Sequence, residues 1–414
     1  MRVVIVVLGD FGQSPRMQYH ALALADSGRD VEVIAYAGSA PFRAVSDHPR
    51  ITMHLTRAPT AVARRRPGFV FVVRQLMRLC GQGLGLLWKL LLIAGKPDIV
   101  LVQNPPAVPS LAIALVAARL RSARLVIDWH NFSHAMLALR LGPDQRAVRM
   151  LRWHERAVGR RADAHLCVSR AMQSELRAHW QIPGAAVLYD RPAEMFAPTP
   201  PQERPILLRR ILNGVAQWPG DGRPPAIIVC PTSWTADEDI SILIEAAARC
   251  DEIARQRSAG GFGELLILVT GRGPLRDHYE REIRKLTLHR IHLRTLWLVA
   301  EDYARLLGSA DIGVSCHRSA SGIDLPMKIA DLFGAGVPVC ALDYGPVLAE
   351  QVRHGDNGLL FADAEQLAAQ LYELFEGFPD HTPLLDRLRD QVRSQPRISW
   401  RDGWNTEAAQ VFAA

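Results

Sequence analysis

Short runs of β-branched and aliphatic residues alternate with longer amphipathic stretches along nearly the whole chain. Such runs, bounded by glycine, proline or polar residues, read as buried parallel strands, and the stretches between them as crossover helices. In the first half the strands fall at 2–9, 30–36, 51–56, 99–104, 124–129 and 164–169. Helices are predicted there at 15–27, 69–94, 107–120, 144–160 and 170–179. The second half repeats the alternation, with strands at 226–233, 265–271, 291–297, 311–317, 337–342 and 358–361. The proline-rich stretch 189–225 reads as the region of the linker. This is α/β architecture, with two doubly wound Rossmann-like domains at 1–200 and 201–395. A helical tail, 396–414, is expected to cross back to the first domain. Two such sheets facing each other would form a cleft lined by strand carboxyl ends, where ligands of this architecture bind.

Composition narrows the class. The chain has 414 residues, 49% of them hydrophobic, enough for two domains of about 200 residues each. Its six cysteines (80, 167, 230, 250, 316 and 340) form no CxxC pair, so a reducing cytosol is the expected compartment. The N-terminal MRVVIVVLGDFG runs into a glycine turn too soon for a signal peptide and reads as the first strand. No stretch reaches the roughly 18 uncharged residues that a membrane-spanning helix needs.

Net charge is +7, and its placement matters more than its size. Between Asp47 and Asp98 there is no acid, while Arg50, Arg57, Arg64, Arg65, Arg66, Arg74, Arg78, Lys89 and Lys96 are interleaved with bulky apolar residues. Over 62–96 that mixture suits a surface docked on anionic lipid headgroups. The same pattern also fits a core helix with a solvated basic face. Aliphatic residues outnumber aromatic ones, which argues against nucleic acid.

The polar chemistry gathers at strand ends. Asp10, Gly12, Ser14 and Arg16 follow the first strand at a helix N-terminus, an anion-friendly position. Asp128 and His130 end the fifth strand on one side of it, as general-base candidates, with Asp10 a third. In the second half Ser233, Arg272, Ser321 and Gly322 lie in loops after three strands, fit for a nucleotide diphosphate. SGIDLPMKIADLFGAGVPVCA adds Lys328 and Asp331, three apart on one helix face. There Lys328 suits the diphosphate, and Asp331 can accept from both hydroxyls of a ribose diol. No metal and no cofactor is expected, since these loops show no DxD-type diphosphate–metal motif; Asp237-Glu238-Asp239 opens a helix instead.

Together GDFGQSPRMQYHALALA, IDWHNF, PTSWTADEDISILIEA, VTGRGPL and SGIDLPMKIADLFGAGVPVCA resemble the chitobiosyldiphosphodolichol β-mannosyltransferases of the eukaryotic endoplasmic reticulum. The resemblance runs in order from residue 2 to about 361. It implies a GT-B glycosyltransferase that inverts the anomeric centre, moving mannose from GDP-mannose to the 4-hydroxyl of a polyprenyl-diphosphate-linked GlcNAc. Gly12, Ser14 and Arg16 would then face the acceptor. Ser233, Arg272, Ser321, Gly322, Lys328 and Asp331 would face the donor. Ile323 stands eight before Asp331, where many retaining GT-B enzymes carry a glutamate, in keeping with inversion. Asp237, Glu238 and Asp239 stand near where related enzymes often place a basic diphosphate contact. Because the chain starts at its first strand, a prokaryotic-type, cytoplasmic member is expected, peripheral on the inner face of the cell membrane. Three alternatives remain open: transfer from another nucleotide sugar in polysaccharide assembly, a sugar-nucleotide epimerase, and a non-catalytic membrane-bound scaffold.

Overall fold

The computed structural model describes residues 1–58, 69–212, 224–257 and 262–413, and for residues 69–73, 75 and 76 the backbone alone. The chain divides into two compact units, Met1–Tyr189 with Trp400–Ala414, and Asp190–Ser399.

Unit 1 is built on strands β1 (Arg2–Asp10), β2 (Asp30–Ala37), β3 (Ile51–Arg57), β4 (Ile99–Asn104), β5 (Arg124–Trp129), β6 (Ala164–Cys167) and β7 (Ala186–Val187). Its helices are α1 (Pro15–Asp26), α2 (Arg43–Ser46), α3 (Phe69–Trp88), α4 (Ser110–Arg121), α5 (Ser133–Leu141), α6 (Arg146–Gly159) and α7 (Arg170–Ala178). All strand pairs are parallel, in the order β3-β2-β1-β4-β5-β6-β7. Val3 to Val7 of β1 and Ile99 to Val102 of β4 are buried throughout, because helices cover both faces of a parallel sheet. The order reverses between β1 and β4, so the loops after these strands flank a topological switch point.

Unit 2 contains β8 (Ala226–Pro231), β9 (Leu265–Thr270), β10 (Ile291–Leu296), β11 (Ile312–Ser315), β12 (Val339–Leu342) and β13 (Gly358–Phe361). Its helices are α8 (Arg204–Ile211), α9 (Ile240–Gln256), α10 (Arg276–Ile283), α11 (Ala300–Ser309), α12 (Met327–Gly334), α13 (Ala364–Phe375) and α14 (Pro383–Ser394). This sheet too is parallel, ordered β10-β9-β8-β11-β12-β13, and reverses between β8 and β11.

The predicted strands appear within a few residues of their expected bounds, and strand β7 and helices α2, α5 and α8 are additional. Helix α5 is short and apolar nearly all round, so no polar face gives it a period. Helix α8 starts inside the proline-rich stretch, with Pro205 in its first turn, where a missing N–H costs nothing.

The tail belongs to unit 1. Helix α15 (Trp400–Gly403) and the turns after it bury Trp400, Trp404, Ala408 and Phe412 in the same core as Phe11, Met17 and Leu24. Trp404 stacks on Phe412 and donates its indole N–H to His20 Nδ1 at 3.2 Å. Arg124 donates to the carbonyls of Val411 and Ala413, and Arg29 to that of Phe412. Trp404→Ala should therefore cost unit 1 about 3–5 kcal/mol. A shift of that unit's unfolding transition to lower urea checks this.

Candidate active site

At the end of β5, Asp128 is fully buried and saturated with donors. Its Oδ2 accepts from Arg16 Nε at 2.8 Å, His130 Nε2 at 2.8 Å and His20 Nε2 at 3.1 Å, and its Oδ1 from Arg16 Nη2 at 2.9 Å. Burial alone would push this carboxyl up, but the Arg16 guanidinium and the two imidazoles outweigh it and hold it well below its ordinary value. Asp128 is thus a fixed anion rather than a proton acceptor.

The consequence for the imidazoles is directional. His20 is buried, which lowers its pKa more than Asp128 raises it, so it is neutral. Because it accepts from Trp404 at Nδ1, its proton lies on Nε2, toward Asp128. His130 also turns Nε2 to Asp128, and its side chain is 21% exposed. With Nε2 donating, the Nδ1 lone pair of His130 is the basic atom. A carboxylate that orients an imidazole this way also stabilises the imidazolium formed when the ring takes a proton.

Arg16 was expected to face an acceptor, and the structure corrects this. Its side chain is 3% exposed and committed to Asp128 and to the Leu188 carbonyl at 2.8 Å. Asp10 accepts from the Gly12 and Ser39 amides and the Ser39 hydroxyl, tying the loop after β1 to the one after β2. A Cβ on Gly12 would lie 2.2 Å from the Ser39 carbonyl oxygen, so only glycine allows this contact. Ser14 donates to the Asp10 carbonyl, and Asp10, Gly12 and Ser14 are all partly exposed.

In unit 2 the switch-point loops hold the donor-side candidates. Lys328, at the start of α12, pairs with Glu238 and donates to Ser233 Oγ at 3.1 Å. Glu238 is buried, and its other oxygen accepts from the Thr232 hydroxyl and the Ser233 amide. The acid found near the expected basic contact therefore aims the lysine, and an ammonium with three protons keeps one for a ligand. Trp234 takes a left-handed φ of 51° beside it, which strains a non-glycine backbone.

Gly271 and Gly273 serve the protein's own backbone. A Cβ at either would lie 1.8 Å from the Thr232 or Ser233 carbonyl oxygen. Arg272, between them, is exposed and lies 3.5 Å above the Trp297 ring. Ser321 and Ser319 donate to Asp324, and the Gly322 amide donates to Ser319. Gly322 has φ 73°, a conformation that favours glycine.

Two groups escape a reading by motif. Burial would lower the His317 pKa, but Asp237 and Asp324, each 3.6 Å away, raise it to about 9. A fixed imidazolium thus lies just after β11. Asp331 is raised to about 7 by burial and by Asp190, against Lys328. Its one-turn spacing from Lys328 was visible in the sequence; its suppressed ionisation was not.

Comparison with known proteins identifies the family and the fold. The family model described as "Glycosyl transferase 4-like domain" matches residues 11–190, and "Glycosyl transferases group 1" matches residues 225–377. "Chitobiosyldiphosphodolichol beta-mannosyltransferase" of Mus musculus is 37% identical over 99% of this chain and 89% of its own length. The Homo sapiens protein of that name is 37% identical over 97% and 90%. The chain belongs to the chitobiosyldiphosphodolichol β-mannosyltransferase family. As a member of that family it is a glycosyltransferase. The Arabidopsis thaliana protein named "UDP-glycosyltransferase TURAN" is 41% identical, over 94% of this chain and 92% of that protein. Anabaena HepE, solved with UDP and glucose, superposes with a TM-score of 0.68 at 17% identity, covering 100% of this chain and 99% of that one. This likeness identifies the fold as GT-B.

The Asp331 carboxyl gives this β-mannosyltransferase family member a pH signature. With a folded pKa of about 7 against an ordinary 3.8, the folded state binds the extra proton between those values. Its contribution to stability is present at low pH and is lost as pH rises through 7. Asp331→Asn should therefore stabilise unit 2 relative to the parent at pH 8 and lose that advantage near pH 4. Thermal unfolding across the range measures it.

Proposed function

We propose that the chain transfers mannose from GDP-mannose to the 4-hydroxyl of the terminal GlcNAc on a polyprenyl-diphosphate-linked acceptor, with inversion to a β1,4 bond. The observation that carries this reading is the His130–Asp128 pair, an imidazole with Nδ1 basic and an ionised carboxylate behind it. Inversion needs one such base. The acceptor O4 loses its proton to His130 Nδ1 as the O4–C1 bond forms. The bond from C1 to the diphosphate oxygen breaks, and its electron pair leaves with GDP.

Charge then grows on the leaving diphosphate, where Lys328, Arg272 and the α12 N-terminus would stabilise it. Asp331, ionised on binding, accepts from the ribose diol. Ser233 and the Ser321–Gly322 loop complete this donor site. On the acceptor side, Gly12 and Ser14 remain the candidates, with Asp10 held in reserve as base.

The lipid of such an acceptor places the reaction at a membrane. Helix α3 exposes Met77, Leu84 and Trp88, with Leu92 in the turn after it, while Leu86 and Leu90 face the core. One apolar helix face toward solvent favours membrane contact through 62–96; Arg64, Arg65 and Arg66 of that segment lie outside the described residues. Among the described residues no helix is long and apolar enough to cross a membrane. Peripheral attachment on the cytoplasmic face fits these features, and nucleic acid has no part in the reading.

A UDP-sugar donor is the second reading, favoured by the name of the Arabidopsis relative. Thermal shift with GDP-mannose against UDP-sugars separates the two. Lys328→Gln, which keeps a donor for Glu238 but removes the charge, should weaken GDP binding by about 1.5–3 kcal/mol. Unchanged affinity by calorimetry would remove Lys328 from the donor site.

With GDP-mannose and a polyprenyl-diphosphate-linked chitobiose, the product should show β coupling by NMR. His130→Ala should lower kcat by about 100- to 10,000-fold while GDP affinity holds. Near-normal turnover would shift the role to Asp10, and an α product would rule out inversion.

A further inference from the structure

Helix α5 is apolar, yet its side chains are half-buried or exposed. Of its nine residues, SHAMLALRL, none is buried. Leu139 is 62% exposed, and Met136 and Leu141 stand out beside it. On the antiparallel partner α6, Met150 is 69% and Trp153 71% exposed. A surface helix normally turns an apolar stripe to the core. Here the tip of a helical hairpin turns one away from it.

The charge around this tip is predominantly positive. Arg140, Arg146, Arg149 and Arg152 are exposed, with Asp144 the one acid between Ser133 and Trp153. The next acid, Glu155, is buried and faces inward, accepting from Asn104 Nδ2 at 2.9 Å, the Ser133 amide at 2.7 Å and His134 Nδ1 at 2.7 Å. It ties the hairpin to Asn104 at the end of β4, whose amide also donates to the Asn131 carbonyl in the loop that carries His130, three residues before α5. Helix α4 packs against both α3 and α6 and adds exposed Val116 and Leu120.

We propose that the α5–α6 hairpin docks on an anionic lipid bilayer, inserting Leu139, Met150 and Trp153 among the acyl chains while its arginines pair with headgroup phosphates. Charge complementarity selects this occupant: apolar groups, one tryptophan and an arginine rim match the interfacial region. It deepens the proposed function, since a docked hairpin holds the His130 loop near the bilayer surface, where a polyprenyl diphosphate presents its sugar.

The test uses the full chain with phosphatidylcholine vesicles, with and without phosphatidylglycerol. Two variants are compared with the parent, Leu139→Ser/Trp153→Ser and Arg140→Gln/Arg149→Gln/Arg152→Gln. The parent should sediment with the anionic vesicles and be released by salt. Losing three arginines should lower its partition on the order of a hundred-fold, at about 1 kcal/mol each. The apolar double variant should lose binding even at low salt. Both variants should keep their melting temperature, their GDP affinity and their turnover of a short-chain, water-soluble acceptor. Those last readouts fail separately if the proposed function is wrong. Parental binding by both variants, or no binding by the parent, overturns the hairpin as a docking element. So does a concentration-dependent dimer that the variants abolish while vesicle binding persists, since a second copy would then cover this face.

Discussion

One buried carboxylate organises unit 1. Asp128 draws together Arg16 from α1, His20 one turn further along that helix, and His130 from its own strand end. Removing one partner of such a buried cluster typically costs about 3–5 kcal/mol, because the others are left uncompensated. The tail is part of the same arrangement, since Trp404 sets the His20 tautomer and the Trp400 ring lies 5.4 Å from the Arg16 guanidinium. A half-buried imidazole is thus supported by a network that reaches into the C-terminal tail.

Unit 2 solves a similar problem with a different acid. Glu238 gathers a hydroxyl, an amide and the Lys328 ammonium, so the cation offered to a ligand is already aimed. The glycines beside Arg272 let the loops after β8 and β9 touch backbone to backbone. Preorganised charge of this kind needs no rearrangement when a leaving group becomes anionic. The two sheets share a layout, with their polar groups at strand carboxyl ends on and beside the switch points, where neighbouring loops diverge.

Much of the fold was legible because a strand in a parallel sheet, buried on both faces, must be a continuous apolar run. The runs at 99–104, 124–129 and 358–361 match β4, β5 and β13 residue for residue. Lys328 and Asp331 were legible together because helical spacing places them one turn apart. Helix α5 was not, since SHAMLALRL is apolar nearly all round and no polar face sets a helical period. Nor was the use of Gly271 and Gly273, whose close neighbour is a carbonyl of the protein itself.

What the sequence determined by itself was the family, the two wound sheets and the loops that carry chemistry, because each depends on local order or on motifs in series. The tertiary structure decided which charged groups are already engaged. Arg16 meets Asp128 across 112 residues and Lys328 meets Glu238 across 90, so no spacing along the chain reveals either pair. An arginine at a helix start looks like an anion site until its partner is known, and an aspartate at a strand end looks like a base. Packing spends the arginine on the aspartate, and the neighbouring imidazole is left as the basic group.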